Sequence, residues 1–317
     1  MHNPNHKLIS VIIPIYNEEL NIATLYDRVS VVMKSLKQNY ELIFVNDCSK
    51  DSSLFLIKQL ALKDSCVKFI DFSRNFGHQI AVSAGLEYSS GDFVAIIDAD
   101  LQDPPELISD LYQKINQDYD VVYAKRRSRK DKNILKKMAY KVFYQLLSVI
   151  SQVNIPLDTG DFRMIRRNVV DQLIKMPEQN KFLRGQIAWL GFNQTFIEYD
   201  RDARAAGEPG YSYRKLFRLA LDGIISFSNM PLRLATISGF LVFFLSLVII
   251  CYTLYSYFFK SSTPQGWASL MISVLFIGGT QLMTIGIIGE YIGRIQNDVR
   301  QRPLYVLRDT NIQLKDK

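Results

Sequence analysis

Two stretches of this 317-residue chain carry no charged side chain at all: Ala235–Phe259, 25 residues, and Trp267–Gly289, 23 residues. As helices rising about 1.5 Å per residue they would be roughly 37 and 34 Å long, enough to cross a hydrocarbon layer of about 30 Å. The sequence therefore predicts two membrane helices near its C-terminal end, and a wholly soluble chain is excluded as an expectation. Only seven residues, Lys260–Gly266, separate the spans, with one basic group among them. Arg214, Lys215, Arg218 and Arg233 precede the first span, and Arg294, Arg300 and Arg302 follow the second. An excess of basic residues on the cytoplasmic side then places both chain ends in the cytoplasm and the short loop outside. The N-terminal MHNPNHKLIS is too polar for a signal peptide, so the residues before the hairpin are expected to stay cytosolic.

Composition narrows the chemistry. With 48% hydrophobic and 22% charged residues the chain is not disordered. Three cysteines, Cys48, Cys66 and Cys251, form no CxxC and no even set, which fits a reducing compartment. The histidines are His2, His6 and His78, too few for a His-rich metal site. The formal net charge of +7 suits anionic lipid or phosphate, and no aromatic-basic motif suggests nucleic acid.

Residues 8–126 alternate regularly between two periodicities. Leu8–Ile15, Tyr40–Val45, Val67–Phe72, Phe93–Ile97 and Val121–Ala124 are short, apolar and rich in β-branched residues, as strands are. Between them lie helical patterns at about Glu18–Lys37, Ser52–Leu62, His78–Tyr88 and Pro104–Ile115, the prolines suiting a first helical turn. Such a βαβα series predicts a doubly wound, mainly parallel sheet with ligands beyond the carboxyl ends of its strands. Polar clusters occur at four of those ends: Tyr16-Asn17-Glu18, Asn46-Asp47, Ser73-Arg74-Asn75 and Asp98-Ala99-Asp100. A basic run, Lys125–Lys137, follows with eight Lys or Arg against one Asp; a solvated loop explains it as well as a phosphate-binding one. Amphipathic spacing marks Ile134–Val153, and again Tyr213–Phe227, where an interfacial helix and a buried helix fit about equally. Pro231 closes that second pattern. The predicted organisation is a cytosolic domain at 1–210, an interfacial helix at 211–233, two membrane helices at 234–290 and a cytosolic tail at 291–317. In that tail, Arg302–Leu307 would pair as a strand on a neighbouring copy, favouring a homo-oligomer.

Asp98-Ala99-Asp100-Leu101-Gln102 is the most chemically loaded segment. Two carboxylates at i and i+2 and an amide oxygen two residues on are hard oxygen donors, suited to Mg²⁺ or Mn²⁺ beside a diphosphate. An isolated Asp-x-Asp is more often a solvated turn; this one ends a strand and runs into Asp103-Pro104-Pro105. Together with VIIPIYNEE (11–19), VNDCSKDSS (45–53), SRNFGHQIAVSAGL (73–86), DADLQDPPE (98–106), DTGDFRMIRR (158–167) and RAAGE (204–208), the chain resembles the inverting family 2 glycosyltransferases of glycosyltransferase-A fold. Within them it is similar to the polyprenyl-phosphate glycosyltransferases, on the bacterial undecaprenyl-phosphate glucosyltransferase branch.

That resemblance implies roles. Asp47 would hold the base or ribose of a nucleotide-sugar, with Pro14, Tyr16 and Glu18 lining the same pocket and Asp98 contacting the nucleotide or sugar. Asp100 and Gln102 would hold the divalent ion. Arg126, Arg129 and Arg204 would meet phosphate oxygens. Asp158, or alternatively Asp161 three residues on, would serve the acceptor. The implied reaction moves a hexose, glucose from UDP-glucose in the first instance, onto undecaprenyl phosphate at the cytoplasmic face of the plasma membrane, with inversion. Alternatives are another donor sugar (GDP-mannose, UDP-GlcNAc or an aminosugar), a diacylglycerol or ceramide acceptor, or a membrane-anchored subunit that binds nucleotide-sugar without turnover. Where related chains carry Gly-Glu-Ser-Lys-Tyr, this one has Gly207-Glu208-Pro209-Gly210-Tyr211; Arg214 or Lys215 would have to supply the missing cation. His78 is expected to cap or pack at a helix start, Cys48 to fill a tight turn, and Trp189 to lie in the core.

Overall fold

The structure is a computed structural model that describes residues 7–127, 159–200, 230–260 and 266–313. Asp158, Arg129, Arg204, the Glu208-Pro209-Gly210 stretch and the helices expected at 134–153 and 213–227 lie outside the described residues.

In chain order the elements are β1 (Leu8–Ile15), α1 (Ile22–Ser35), β2 (Asn39–Asn46), α2 (Ser53–Lys63), β3 (Val67–Phe72), α3 (His78–Tyr88), β4 (Phe93–Ile96), α4 (Leu107–Ile115) and β5 (Val121–Arg126). There follow β6 (Thr159–Arg166), α5 (Arg167–Lys175), α6 (Leu183–Leu190), β7 (Gln194–Tyr199), α7 (Met230–Lys260), α8 (Trp267–Arg300) and β8 (Leu307–Thr310). The strands form one sheet in the order β7-β5-β6-β4-β1-β2-β3-β8. Strands β1 to β4 pair in parallel, β6 runs antiparallel to both β4 and β5, and β7 is parallel to β5. The sheet is thus mixed. β6 and β8 are the reversed strands that break the parallel expectation.

Alternation along the strands sorts side chains onto two faces, as a period of two requires. Ile9, Val11, Ile13 and Ile15 pack with Leu25 and Val29 of α1, Ile57 of α2 and Leu111 of α4. Ile12, Val45 and Ile96 face the other way, against Ala81 and Val82 of α3, Val170 of α5 and Ile187 of α6. The result is three layers, helices covering both faces of the sheet. Gly85 of α3 lies so close to β1 that an added Cβ would sit 2.3 Å from Ile12 Cγ2. Pro104 and Pro105 precede α4 rather than opening it: Leu107 and Ile108 donate to their carbonyls in a tighter turn.

The chain leaves β1 toward β2 and β3 on one side, then returns to place β4 on the other. That reversal puts a switch point between β1 and β4, where a crevice opens beyond the carboxyl ends.

The tail corrects one expectation. Its strand is β8, which pairs antiparallel with β3 of the same chain through Ile70–Thr310 and Asp71–Asp309. The strand thus falls at Leu307–Thr310 rather than at Arg302–Leu307, and its partner is β3 of the same chain. Trp189 is a second correction: it is 63% exposed on α6, not core.

Helix α7 spans 31 residues and α8 34. Pro231 sits in the first turn of α7, where its missing N–H costs little, so the helix starts before the span predicted from sequence. Large apolar side chains, among them Phe240, Phe244, Val248, Phe276 and Leu282, are exposed along the two helices. Counted over the described residues, no helix is long and apolar enough to cross a membrane. Both uncharged stretches of the sequence nonetheless fall wholly within α7 and α8.

Candidate active site

Strand register builds the centre of the crevice. β4 and β6 run antiparallel with Ile96 opposite Arg163. Continuing that register two residues each way brings Asp98 opposite Asp161. Helix α3 then adds His78 from the sheet's second face, its start set by Gly77 at φ 100°, a conformation glycine adopts at little cost. His78 Nε2 lies 3.3 Å from Asp161 Oδ2 and 3.6 Å from Asp98 Oδ1. Arg184 of α6 donates its Nε–H to Asp161 Oδ1 at 3.0 Å, and Arg163 donates an Nη2–H to the same oxygen at 2.9 Å. The Arg163 side chain is 1% exposed; it also donates to the backbone carbonyls of Gly160 and Asp161.

These environments drive the two carboxylates in opposite directions. Burial opposes ionisation of Asp161, but Arg184, the His78 hydrogen bond and Arg163 outweigh it and hold the carboxyl well below the usual range. Asp98 is pushed up to about 6, first by burial and then by the charges of Asp161, Asp103 and Asp100, with His78 opposing. Burial would lower His78, yet Asp161 and Asp98 together raise it to about 9, which makes it a cation at neutral pH. The ring keeps 40% of its surface exposed, so solvent weakens that balance without reversing its sign.

Asp98 Oδ1 is buried and accepts no hydrogen bond. A buried carboxylate oxygen without a hydrogen bond, with the His78 ring 3.6 Å away, suits a cation that arrives with the ligand. Among the described residues, His78, Asp98 and Asp161 are the three whose donor atoms lie within 4.8 Å of one another, close enough to share a metal ion. Hard carboxylate oxygens fit Mg²⁺ or Mn²⁺, although His78 would first have to release its proton. Asp100 and Gln102 stand just beyond, joined by a turn in which the Gln102 N–H donates to Asp100 Oδ1 at 3.1 Å and Leu101 takes φ 55°. Both are partly exposed.

Arg126 reaches the same region from the end of β5. Its Nη2 lies 3.5 Å from Oδ2 of fully buried Asp103, and its Nε–H donates to Tyr199 Oη at 3.3 Å, while that hydroxyl donates to Asp103 Oδ1. Burial tends to lower Arg126, but Asp103 and Tyr199 raise it overall. A Cβ on Gly160 would come within 3.2 Å of Arg126 Nη2, so the absent side chain leaves room for the guanidinium.

The residues expected to line the nucleotide pocket lie at the ends of β1 and β2. Tyr16 is 44% exposed above the sheet; Pro14 is buried in β1 beneath it. Glu18 accepts from Asn21 Nδ2 at 2.6 Å, and its own N–H donates to Ser53 Oγ. Asp47 is nearly buried; Oδ1 accepts the Phe76 N–H at 2.6 Å and Oδ2 the Gly77 N–H at 2.9 Å. Burial raises its pKa despite those bonds. Asp47 thus ties the β2 end to the α3 start. Cys48, at φ 57°, does occupy a tight turn.

Sequence reasoning set His78 aside as a cap and gave no role to Arg163, Arg184 or Tyr199. His78 had a usable signal, since it opens a helix just after a polar strand end. Arg184 had none: nothing in KFLRG (181–185) marks it until α6 folds back over β6.

Comparison with known proteins agrees with this architecture. The family model described as "Glycosyl transferase family 2" matches residues 10–174, and one described as "GtrB C-terminal hairpin" matches residues 230–295. The chain is 47% identical over 303 residues to the uncharacterized glycosyltransferase YkcC of Bacillus subtilis, covering 96% of this chain and 94% of that one. It is 39% identical over 303 residues to the SfII prophage-derived bactoprenol glucosyl transferase of Shigella flexneri, covering 96% and 98%. Among solved structures, mannosyl-3-phosphoglycerate synthase from Rubrobacter xylanophilus aligns at 16% identity over 68% of this chain and 71% of its own, with a TM-score of 0.46, a likeness too slight to carry an argument. The near full-length relatives and the family match together place this chain in glycosyl transferase family 2, as a glycosyltransferase.

Proposed function

We propose that this glycosyltransferase transfers glucose from UDP-glucose to undecaprenyl phosphate at the cytoplasmic face of the membrane, inverting the anomeric centre. The observation that carries the reading is the meeting of Asp98, Asp161, His78 and Arg184 at the switch point, in a chain whose C-terminal helices match a GtrB-type hairpin. Relatives named bactoprenol glucosyl transferase supply the sugar and the carrier. The uncharged stretches of α7 and α8 would hold the domain at the bilayer, the only place a polyprenyl phosphate presents its headgroup.

The residues suit an acceptor that is itself an anion. A phosphate monoester is largely ionised at pH 7, with its second pKa near about 6, so attack needs alignment more than a base. Asp161 fits that demand: held low by Arg184 and Arg163, it is a poor proton acceptor and a good anchor for the cations around it. Cationic His78 and Arg184 would draw phosphate oxygens of both reactants into one crevice against their mutual repulsion. Arg126, with Arg129 and Arg204, would meet further phosphate oxygens, while Asp47, Tyr16, Glu18 and Pro14 would frame the nucleotide. Asp158 remains the alternative to Asp161 beside the acceptor. A divalent ion, Mg²⁺ or Mn²⁺, held by Asp100 and Gln102 with Asp98 Oδ1 alongside, would neutralise charge developing on the leaving diphosphate.

The test is a donor panel. Purified full-length protein in detergent, with undecaprenyl phosphate and Mg²⁺ or Mn²⁺, is offered UDP- and GDP-sugars and the lipid product is weighed by mass spectrometry. A hexosyl-phosphoryl lipid from UDP-glucose is expected. Product from a different sugar would correct the donor alone; no lipid product from any donor would end the proposal.

A further inference from the structure

The tail beyond the hairpin reaches back to the sheet, where β8 enters beside Phe72 at the carboxyl end of β3 and runs toward that strand's amino end. Asp71, in β3, is 1% exposed. A buried carboxylate needs compensation, and most of it comes from β8. Arg308 donates its Nε–H to Asp71 Oδ2 at 2.6 Å and an Nη2–H to Oδ1 at 3.1 Å, a two-pronged grip. The other donor to Asp71 Oδ1 is Asn46 Nδ2, at 2.7 Å, from a side chain that is fully buried at the end of β2.

From Asn46 the connection runs into the pocket. Its amide oxygen accepts the Ser49 N–H at 3.3 Å, closing the turn that contains Asp47 and left-handed Cys48. Ser49 Oγ in turn accepts the Asn17 N–H at 3.0 Å, and Asn17 Oδ1 accepts the Lys50 N–H at 2.8 Å. The β1 and β2 loops therefore share one hydrogen-bonded frame, and Asn46 is its hinge pin. With Arg308 gone, Asp71 would rest on the Asn46 amide alone, and any shift of that side chain toward the carboxylate would lengthen its 3.3 Å bond to the Ser49 N–H and disturb the setting of Asp47.

We propose that Arg308 is a positioning residue for the nucleotide pocket, acting through Asp71 and Asn46 on the Asp47–Ser49 turn, so that the segment following the hairpin completes the site that binds a nucleoside diphosphate. The proposal rests on the reading of Asp47 as part of that pocket. Other tail contacts hold β8 in place without touching this relay. Tyr305 stacks on Phe72 at 5.0 Å and donates to Glu87, and Lys58 bridges to Asp309 at 2.5 Å. They provide the control, since weakening one of them loosens the tail and leaves Asp71 paired.

The experiment measures UDP affinity by calorimetry, and donor KM and kcat with undecaprenyl phosphate, on full-length protein in detergent. Arg308→Ala is expected to raise the UDP Kd and the donor KM by about tenfold, as removal of an outer-shell partner commonly does. Its kcat at saturating donor should stay within about threefold, because no reacting group has moved. Arg308→Lys, which keeps the charge but not the fork, should recover part of the loss and serves in place of the alanine variant if that one does not fold. Lys58→Met should lower the melting temperature and leave the donor KM unchanged. Arg308 variants with unaltered UDP affinity, or a Lys58→Met loss equal to theirs, would overturn the proposal. Asp47→Ala with wild-type UDP affinity would instead remove the pocket reading on which it rests.

Discussion

Replacing Asp98 by Asn should abolish turnover and stabilise the metal-free protein. Asp98 ionises with a pKa near 6 instead of its ordinary 3.8, because it is buried and faces Asp161, Asp103 and Asp100. Its side chain is 26% exposed and Oδ1 has no hydrogen-bond donor, so apart from the His78 ring at 3.6 Å little in the fold repays the charge. A carboxyl whose pKa rises on folding favours the fold while both states are protonated, and that advantage is lost as pH climbs through the folded value. Between about pH 4 and 6 the penalty should therefore grow, and above 6 it should be complete. A shift of about two units has a ceiling near 3 kcal/mol. His78 loses a partner in the variant and solvent screens the rest, which brings the expected gain to about 1 kcal/mol. For a cooperative unit of this size that is roughly 2–4 °C in melting temperature. The assay is scanning calorimetry or near-ultraviolet circular dichroism in detergent with chelator, at pH 5.0 and pH 7.5. The variant should melt higher at pH 7.5 and show a smaller gain at pH 5.0. A variant that melts lower than wild type at pH 7.5, or a gain that ignores pH, would refute the argument that Asp98 is held ionised against its environment.

Asp161→Asn should move the His78 titration, read by NMR against the other two histidines, from about 9 toward its ordinary 6.5, since Asp161 supplies the hydrogen bond and a share of the charge that raise it. An unmoved midpoint would assign the shift to Asp98 alone. Because His78 gains affinity for its proton on folding, its contribution to stability is full below about pH 6.5 and fades as pH passes 9, and Asp161→Asn should flatten that fall in an unfolding series. Gly85→Ala drives a methyl into Ile12 and should cost about 1–3 kcal/mol, measured by denaturant unfolding; Ile12→Ala in the same chain should give a combined loss smaller than the two separate ones. Gly160→Ala should crowd Arg126 away from Asp103 and raise the KM of a phosphate-bearing reactant severalfold while kcat holds, in steady-state assays with each reactant varied.

The parallel strands were legible because burial on both faces makes β1 to β4 nearly continuous apolar runs, with turn residues between them. The reversed strand β6 was not. TGDFRMIR (159–166) puts two arginines and an aspartate into a strand, and only the folded surroundings explain why they belong: buried Arg163 is received by Asp161 and two carbonyls, and partly buried Arg166 by the carbonyls of Tyr119 and Ile115. Local composition cannot announce partners that lie far along the chain. The same reason hid His78 and Arg184. Asp98, Asp100 and Asp47 were legible because their neighbours in sequence already formed a motif; His78 gains its meaning only when α3 and β6 meet over β4. The hairpin was the plainest feature of all, yet β8 beyond it reads as a polar tail until Asp71 is seen to need a cation.

The pair Asp98 and Asp161 shows how one crevice can divide its work. Both are carboxylates at the edge of the same sheet, placed opposite each other by a single strand register. Arginines crowd one and carboxylates the other, so their affinities for a proton diverge: Asp161 stays ionised, whereas Asp98 lies within reach of neutral pH. A site meant to pull a proton from its acceptor would keep its most accessible carboxylate free of cations. Here the carboxylate nearest the arginines is the one most firmly charged, and the oxygen without a hydrogen bond belongs to its partner. That arrangement gathers cations around Asp161 and reserves Asp98 for a positive charge brought in with the ligand. It is the electrostatics of a site suited to bringing two anions together, as the proposed transfer to a phosphate requires.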